Sequence, residues 1–267
     1  MMRDDRFEQK LIELQRQIHG RLDKIASPTS IEIAVSGLAS KSLSHTGMAL
    51  ELVVSGASEE AIILLRAAYE AVIRGIYLSE NPDKLDAYKA FSAITVLRNQ
   101  LELIKLLDEF DEPYDDRDLQ IRLIEEQKQK ILAAGYHQLF KLKEADLDSW
   151  NAMKKATNRS NMPSFEEVRR SISMTPLVKA LLTTGFQTYN VGSQMAHSNL
   201  EMVTTMVFFQ KSHPLYTESS IYRQVLLLLL SSCQCFAASS VISKDNFEYL
   251  RKEYERIGKE FLIGESA

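Results

Sequence analysis

The chain has 267 residues, of which 45% are hydrophobic and 25% charged, enough for a sizeable core in one large or two closely packed units. Its 10 Gly and 6 Pro are too few for a turn-rich all-β fold, so composition favours helices. A net charge of −4 and a pI near 5.8 exclude the coating of nucleic acid or anionic membrane by bulk charge and leave only local contacts.

The opening Met-Met-Arg-Asp-Asp-Arg alternates charge with apolar residues and lacks the uncharged core of a signal peptide, which predicts a cytoplasmic chain. Apolar positions at Phe7, Leu11, Leu14, Ile18, Leu22 and Ile25 predict an amphipathic helix over 3–25, stopped by Ser27-Pro28. A second helix is predicted over 30–55, with Ala34, Ser36, Gly37, Ala39, Ser40, Ser44 and Gly47 suited to close packing and Gly56 ending it. The third, over 58–79, opens on Ser58-Glu59-Glu60 and cannot continue past Asn81-Pro82.

A helix follows from Asp83 to 108, then an acidic break over 108–116, then a charged helix over 117–134 whose Glu125, Glu126, Lys128 and Lys130 read as a solvated face. From Gly135 to Ser164 the periodicity weakens and 158–163 reads as an exposed loop. A mobile internal linker is therefore expected at 135–164 within a single helical domain, 1–267. Helices resume over 164–172, 176–189, 198–209, 217–243 and 245–262, giving an all-α bundle of roughly nine or ten helices.

Val225 to Ile242 has the length of a marginal membrane span, but Ser231, Ser232, Gln234, Ser239 and Ser240 interrupt it, which predicts a buried core helix and no membrane partner. Together with the small-residue helix 30–55 it offers enough apolar surface to predict a homo-oligomer. Cys233 and Cys235, two apart on a helix, point to different faces and read as small buried hydrophobes rather than a disulfide or metal pair.

The chemistry is concentrated on the helix 58–79. At about 100° per residue, Glu59, Glu70 and Tyr77 lie within about 40° of Arg66, and Arg74 within about 80°. The rest of the circumference is apolar, so these charges need partners. Glu70 stands four residues from both Arg66 and Arg74, so it can pair with one guanidinium while the other keeps donors for an anion. The competing reading is an ion-pair ladder or a clasp between helices.

A second polar element runs from Tyr189 to Glu201. Here Gly192 is expected to interrupt the helix, and Ser198 with Glu201 makes a capping box, so that His197 precedes a helix start where anions and proton transfer are both served. The same His can instead order the turn by bonding a neighbouring backbone group. His19, His45, His137 and His213 read as structural or exposed. No Glu-x-x-His pair, His-Glu-x-x-His run, phosphate-binding Gly loop or Gly-x-Ser-x-Gly elbow occurs, so no metal or cofactor is expected.

The run from Ala61 to Leu78, with Leu-Leu-Arg66, Glu70 and Arg74, and the late Met195-Ala-His197-Ser turn resemble uncharacterised bacterial all-helical families. Those are in turn distantly similar to the HEPN and abortive-infection superfamily. The resemblance implies a partly HEPN-like bundle and a defence or toxin-type protein acting on RNA or a nucleotide as a metal-independent ribonuclease. His197 would be its general acid/base, an Arg its phosphate stabiliser and Glu70 the group orienting that Arg. The HEPN motif places an Arg before the His, where this chain has Asn190, Val191 and Gly192, so Arg66 or Arg74 would take that role in space. The alternative is a non-catalytic, inactive relative that binds a protein partner.

Overall fold

The computed structural model of the chain describes residues 5–23, 27–109, 117–158, 163–196 and 218–264, and every regular element among them is helical. The expected all-α multi-helix bundle is the observed fold class. In chain order the α-helices are α1 (Asp5–His19), α2 (Ser30–Val54), α3 (Ser58–Glu80), α4 (Leu85–Glu109), α5 (Arg117–Ala133), α6 (Tyr136–Leu139), α7 (Trp150–Asn158), α8 (Phe165–Ser171), α9 (Pro176–Ala196), α10 (Glu218–Ala238) and α11 (Lys244–Gly264). Single 3₁₀ turns occupy Pro82–Lys84 and Glu144–Asp148. The helices fall into two compact units, one of 1–80 with 165–267 and the other of 81–164.

The first unit is built on α2, α3 and α10. Thr29 caps α2, its hydroxyl accepting from the Glu32 amide while the Glu32 carboxylate accepts from the Thr29 amide at 2.8 Å. The Thr29 amide and hydroxyl, both donating to the Glu32 carboxylate, hold that carboxyl below the usual carboxylate range. At the other end Gly56 takes φ of 89°, and the Ala57 amide donates to Leu52 O at 2.8 Å, turning the chain directly into α3.

On α3, Ile62, Leu65, Ala68, Val72, Ile73 and Leu78 are fully buried. Each large apolar side chain so removed from water stabilises the fold by ~1.5–3 kcal/mol before its entropy cost. Small residues let α10 approach: the Ser232 hydroxyl donates to the Ser42 hydroxyl at 3.0 Å, and Cys235 packs beside Gly75. Cys233 and Cys235 are free and buried, and burial pushes both thiols up to about 12. The stretch Ser220–Ala238 is long and apolar enough to cross a membrane, yet 72% of it is buried inside the fold. The apolar run 225–230 is spent within this unit rather than on its surface.

In the second unit Ile94 and Leu97 of α4, Ile124 and Ile131 of α5, and Leu142, Leu147 and Met153 form one apolar cluster. The weakly patterned stretch after Gly135 thus carries short helical turns whose apolar residues join this core. Arg98 on α4 donates to the Thr157 hydroxyl of α7 at 3.2 Å, and Gln127 on α5 donates to Ala93 O at 3.1 Å.

Two boundaries differ from the sequence expectation. Helix α1 stops at His19 rather than near 25, because Gly20-Arg21 turn and the Asp23 amide donates to Val241 O at 2.7 Å beside α11. Helix α9 does not break at Gly192 but runs on to Ala196, since one glycine inside a helix costs only about 1 kcal/mol. The helix expected over 198–209 lies outside the described residues.

Candidate functional site

Arg66, Glu70 and Arg74 lie on α3 as the 3.6-residue repeat requires, each half-buried, with Tyr77 buried at the end of the same stripe. Arg66 Nη2 stands 3.2 Å from Glu70 Oε1, one turn along the helix. The pair is about three-quarters buried, with side-chain exposures of 24% and 28%, so it is shielded from water more than an ordinary surface pair. Arg66 Nε is buried as well, and no described residue accepts a hydrogen bond from it.

Over this pair sits an aromatic group that joins three helices. The Arg66 guanidinium carbon is 5.3 Å from the centroid of the Tyr189 ring on α9. Tyr189 stacks on Phe165, the first residue of α8, with centroids 4.7 Å apart and planes at 27°. Tyr69 of α3 meets Phe165 edge-on at 5.8 Å and Tyr189 at 6.2 Å. Helix α9 comes this close because residue 185 is Gly: a Cβ there would land on the Tyr69 ring.

A second guanidinium flanks the same aromatics. Glu166 accepts from Arg169 at 2.7 Å and from Arg170 at 2.9 Å, and the Arg169 bond holds the Glu166 carboxyl below the usual range. Burial pushes the Tyr69 phenol up to about 12, against the pull of the Arg169 charge. Tyr69 therefore stays neutral at physiological pH. Two guanidiniums, each beside a carboxylate, border a neutral aromatic wall, an arrangement suited to an anion with an attached planar group.

Of the four residues singled out from the sequence, the structure brings Arg66 and Glu70 together and keeps Arg74 on their helix. His197 lies outside the described residues, as do Ser198 and Glu201. Sequence reasoning did not find Phe165, Arg169 or the Tyr189 contact. The one available signal was Gly185, a residue with low helix propensity inside a long apolar helix. Among the described residues no three His, Cys, Asp or Glu side chains gather as metal ligands would.

Fold and cluster together define an all-helical protein whose charged helix stripe is roofed by aromatics from two neighbouring helices. A family described as a family of unknown function, DUF5677, matches residues 32–212, more than half of the chain, and the chain belongs to it. No curated protein and no solved structure matches the chain.

Proposed function

We propose that the chain acts on RNA or a nucleotide through Arg66, in the defence or toxin-type role that its resemblance to HEPN-like helical families implies. The observation that carries the reading is the donor surplus at Arg66. A guanidinium has five N–H donors; the described residues supply one ion-pair partner, Glu70, and leave the buried Nε without an acceptor. Tyr189 and Glu70 hold the group in one orientation, the preorganisation that a phosphate site requires.

In the catalytic form of the proposal His197 takes the proton of the ribose 2′-hydroxyl as its oxygen attacks phosphorus. The 5′-oxygen leaves with a proton returned by the same group, and Arg66 offsets the charge that builds on the phosphoryl oxygens. A second reading, the non-catalytic module that binds a protein partner, is favoured by a different observation. The Arg66–Tyr189 contact joins α3 to α9 and so serves the fold without any ligand. The test is cleavage and binding of labelled single-stranded and transfer RNA in the presence of chelator by the wild type, Arg66→Ala and His197→Ala, beside thermal melting of each. Loss of RNA activity with an unchanged melting temperature supports the first reading. A wild type that neither binds nor cleaves, with a destabilised Arg66→Ala, leaves the second.

A further inference from the structure

The second unit carries a groove that none of the preceding chemistry uses. On α4 the inward face that buries Ile94 and Leu97 completely continues through Leu101 and Ile104 to Asp108, at the helical spacings of four and three residues. Leu101 and Ile104 pack against the same core but are only partly buried. Trp150, the first residue of α7, forms the other wall, and the groove between them encloses about 460 Å³.

The walls are apolar and the rim is acidic. Asp108, Glu109 and Asp148 line the groove against a single lysine, Lys105. Each carboxylate does meet a cation: Asp108 pairs with Arg117 at 2.5 Å, Glu109 with Lys105 at 3.5 Å, and Asp148 with Lys128. The three acids nevertheless remain 45–66% exposed, and ion pairs at such exposure are weak and readily exchanged for a better-placed cation.

Trp150 supplies a third feature. Its ring meets Lys154 Nζ at 4.4 Å, while its Nε1 is buried and finds no acceptor among the described residues. An apolar floor, an acidic rim and an aromatic face that already takes an ammonium group together describe the complement of a cationic amphipathic segment.

We propose that the groove between α4 and Trp150 docks a basic amphipathic segment of a partner protein. Its apolar side chains lie on Leu101, Ile104 and the Trp150 ring, and its Lys or Arg residues take over Asp108, Glu109 and Asp148. The proposal does not depend on whether Arg66 handles RNA.

Trp150 is the only tryptophan in the chain, so its emission reports on the groove directly in the full-length protein. The probe is a short helical peptide of Leu and Lys at heptad spacing, with a matched peptide of Leu and Glu as control. The expected result is a saturable change in Trp150 emission with the Lys peptide that weakens as salt rises. Asp108→Asn with Glu109→Gln should weaken it by about tenfold, and Lys105→Glu should strengthen it. The strengthening variant keeps the test decisive should the weakening pair disturb the fold. The proposal fails if the Lys peptide leaves the emission unchanged, if the Glu peptide binds as well, or if Lys105→Glu has no effect. It also fails if the emission shifts with protein concentration alone, which assigns the groove to a second copy of this chain.

Discussion

Arg66 faces two partners at once, with its guanidinium carbon 5.3 Å from the Tyr189 ring centroid and its Nη2 3.2 Å from Glu70 Oε1. One partner is a helical turn away and the other comes from a helix more than a hundred residues later. The side chain is therefore part of the tertiary structure as well as of the stripe on α3.

That dual contact predicts a measurable coupling. In a double-mutant cycle of Arg66→Met and Tyr189→Leu, denaturant unfolding should give an interaction energy of about 0.5–1 kcal/mol, the usual range for a partly exposed cation–π pair. Tyr189→Leu alone should cost more than Arg66→Met, because it also removes the stack on Phe165. Strict additivity of the two substitutions would show that the contact has no energetic content.

A second prediction concerns the approach of α9 to α3. Gly185→Ala places a methyl on the Tyr69 ring, which is 1% exposed and has nowhere to retreat. The expected cost is about 1–3 kcal/mol, read as a lower melting temperature. The same substitution on a Tyr69→Ala background should cost much less, since the obstructing ring is gone. An equal penalty on both backgrounds would place the strain elsewhere.

Much of this was legible before any coordinates. The stripe of Arg66, Glu70 and Arg74 follows from helical geometry and a surrounding run of apolar residues, and α3 begins and ends where Ser58 and Asn81-Pro82 dictate. The roof over the stripe was not, because Phe165 and Tyr189 meet Tyr69 only through tertiary packing, and an aromatic residue on a helix gives no sign of which ring it will touch. The helical content after Gly135 escaped for a different reason. Its elements are four to nine residues long, shorter than the window over which a 3.6-residue period can be recognised. Trp150 stands in that same stretch, so the groove it lines was equally hidden.

His45 on α2 provides a pH test. Burial, reinforced by the nearby Lys41 charge, lowers its pKa, so the fold favours the neutral imidazole. Below the ordinary histidine value the unfolded chain binds a proton that the folded chain resists, and stability therefore rises with pH through that window. The protein should lose stability as the pH falls below the ordinary value near 6.5, the loss continuing down to the lowered folded value. His45→Gln should flatten that part of the profile in melts run from about pH 5 to 8, the range in which histidines titrate. An unchanged slope in the variant would remove His45 as its source.

The remaining prediction separates a phosphate-binding Arg66 from a structural one. If Arg66 offsets charge on a phosphoryl group, Arg66→Ala should lower RNA cleavage by ~10²–10³, the usual loss when one positioned donor is removed. Arg66→Lys should restore little of it, because an ammonium keeps the charge but lacks the planar fork that Glu70 and Tyr189 orient. A purely structural Arg66 behaves in the opposite way. Its loss leaves Glu70, three-quarters buried, without its guanidinium partner and lowers the melting temperature, while Lys, which also pairs with a carboxylate, recovers part of the stability. Cleavage and melting measured on the same three proteins therefore move apart in one case and together in the other. Arg66→Lys is the deciding variant: stable but inactive means that Arg66 serves a ligand, whereas RNA activity that tracks melting temperature across the set means that it serves the fold.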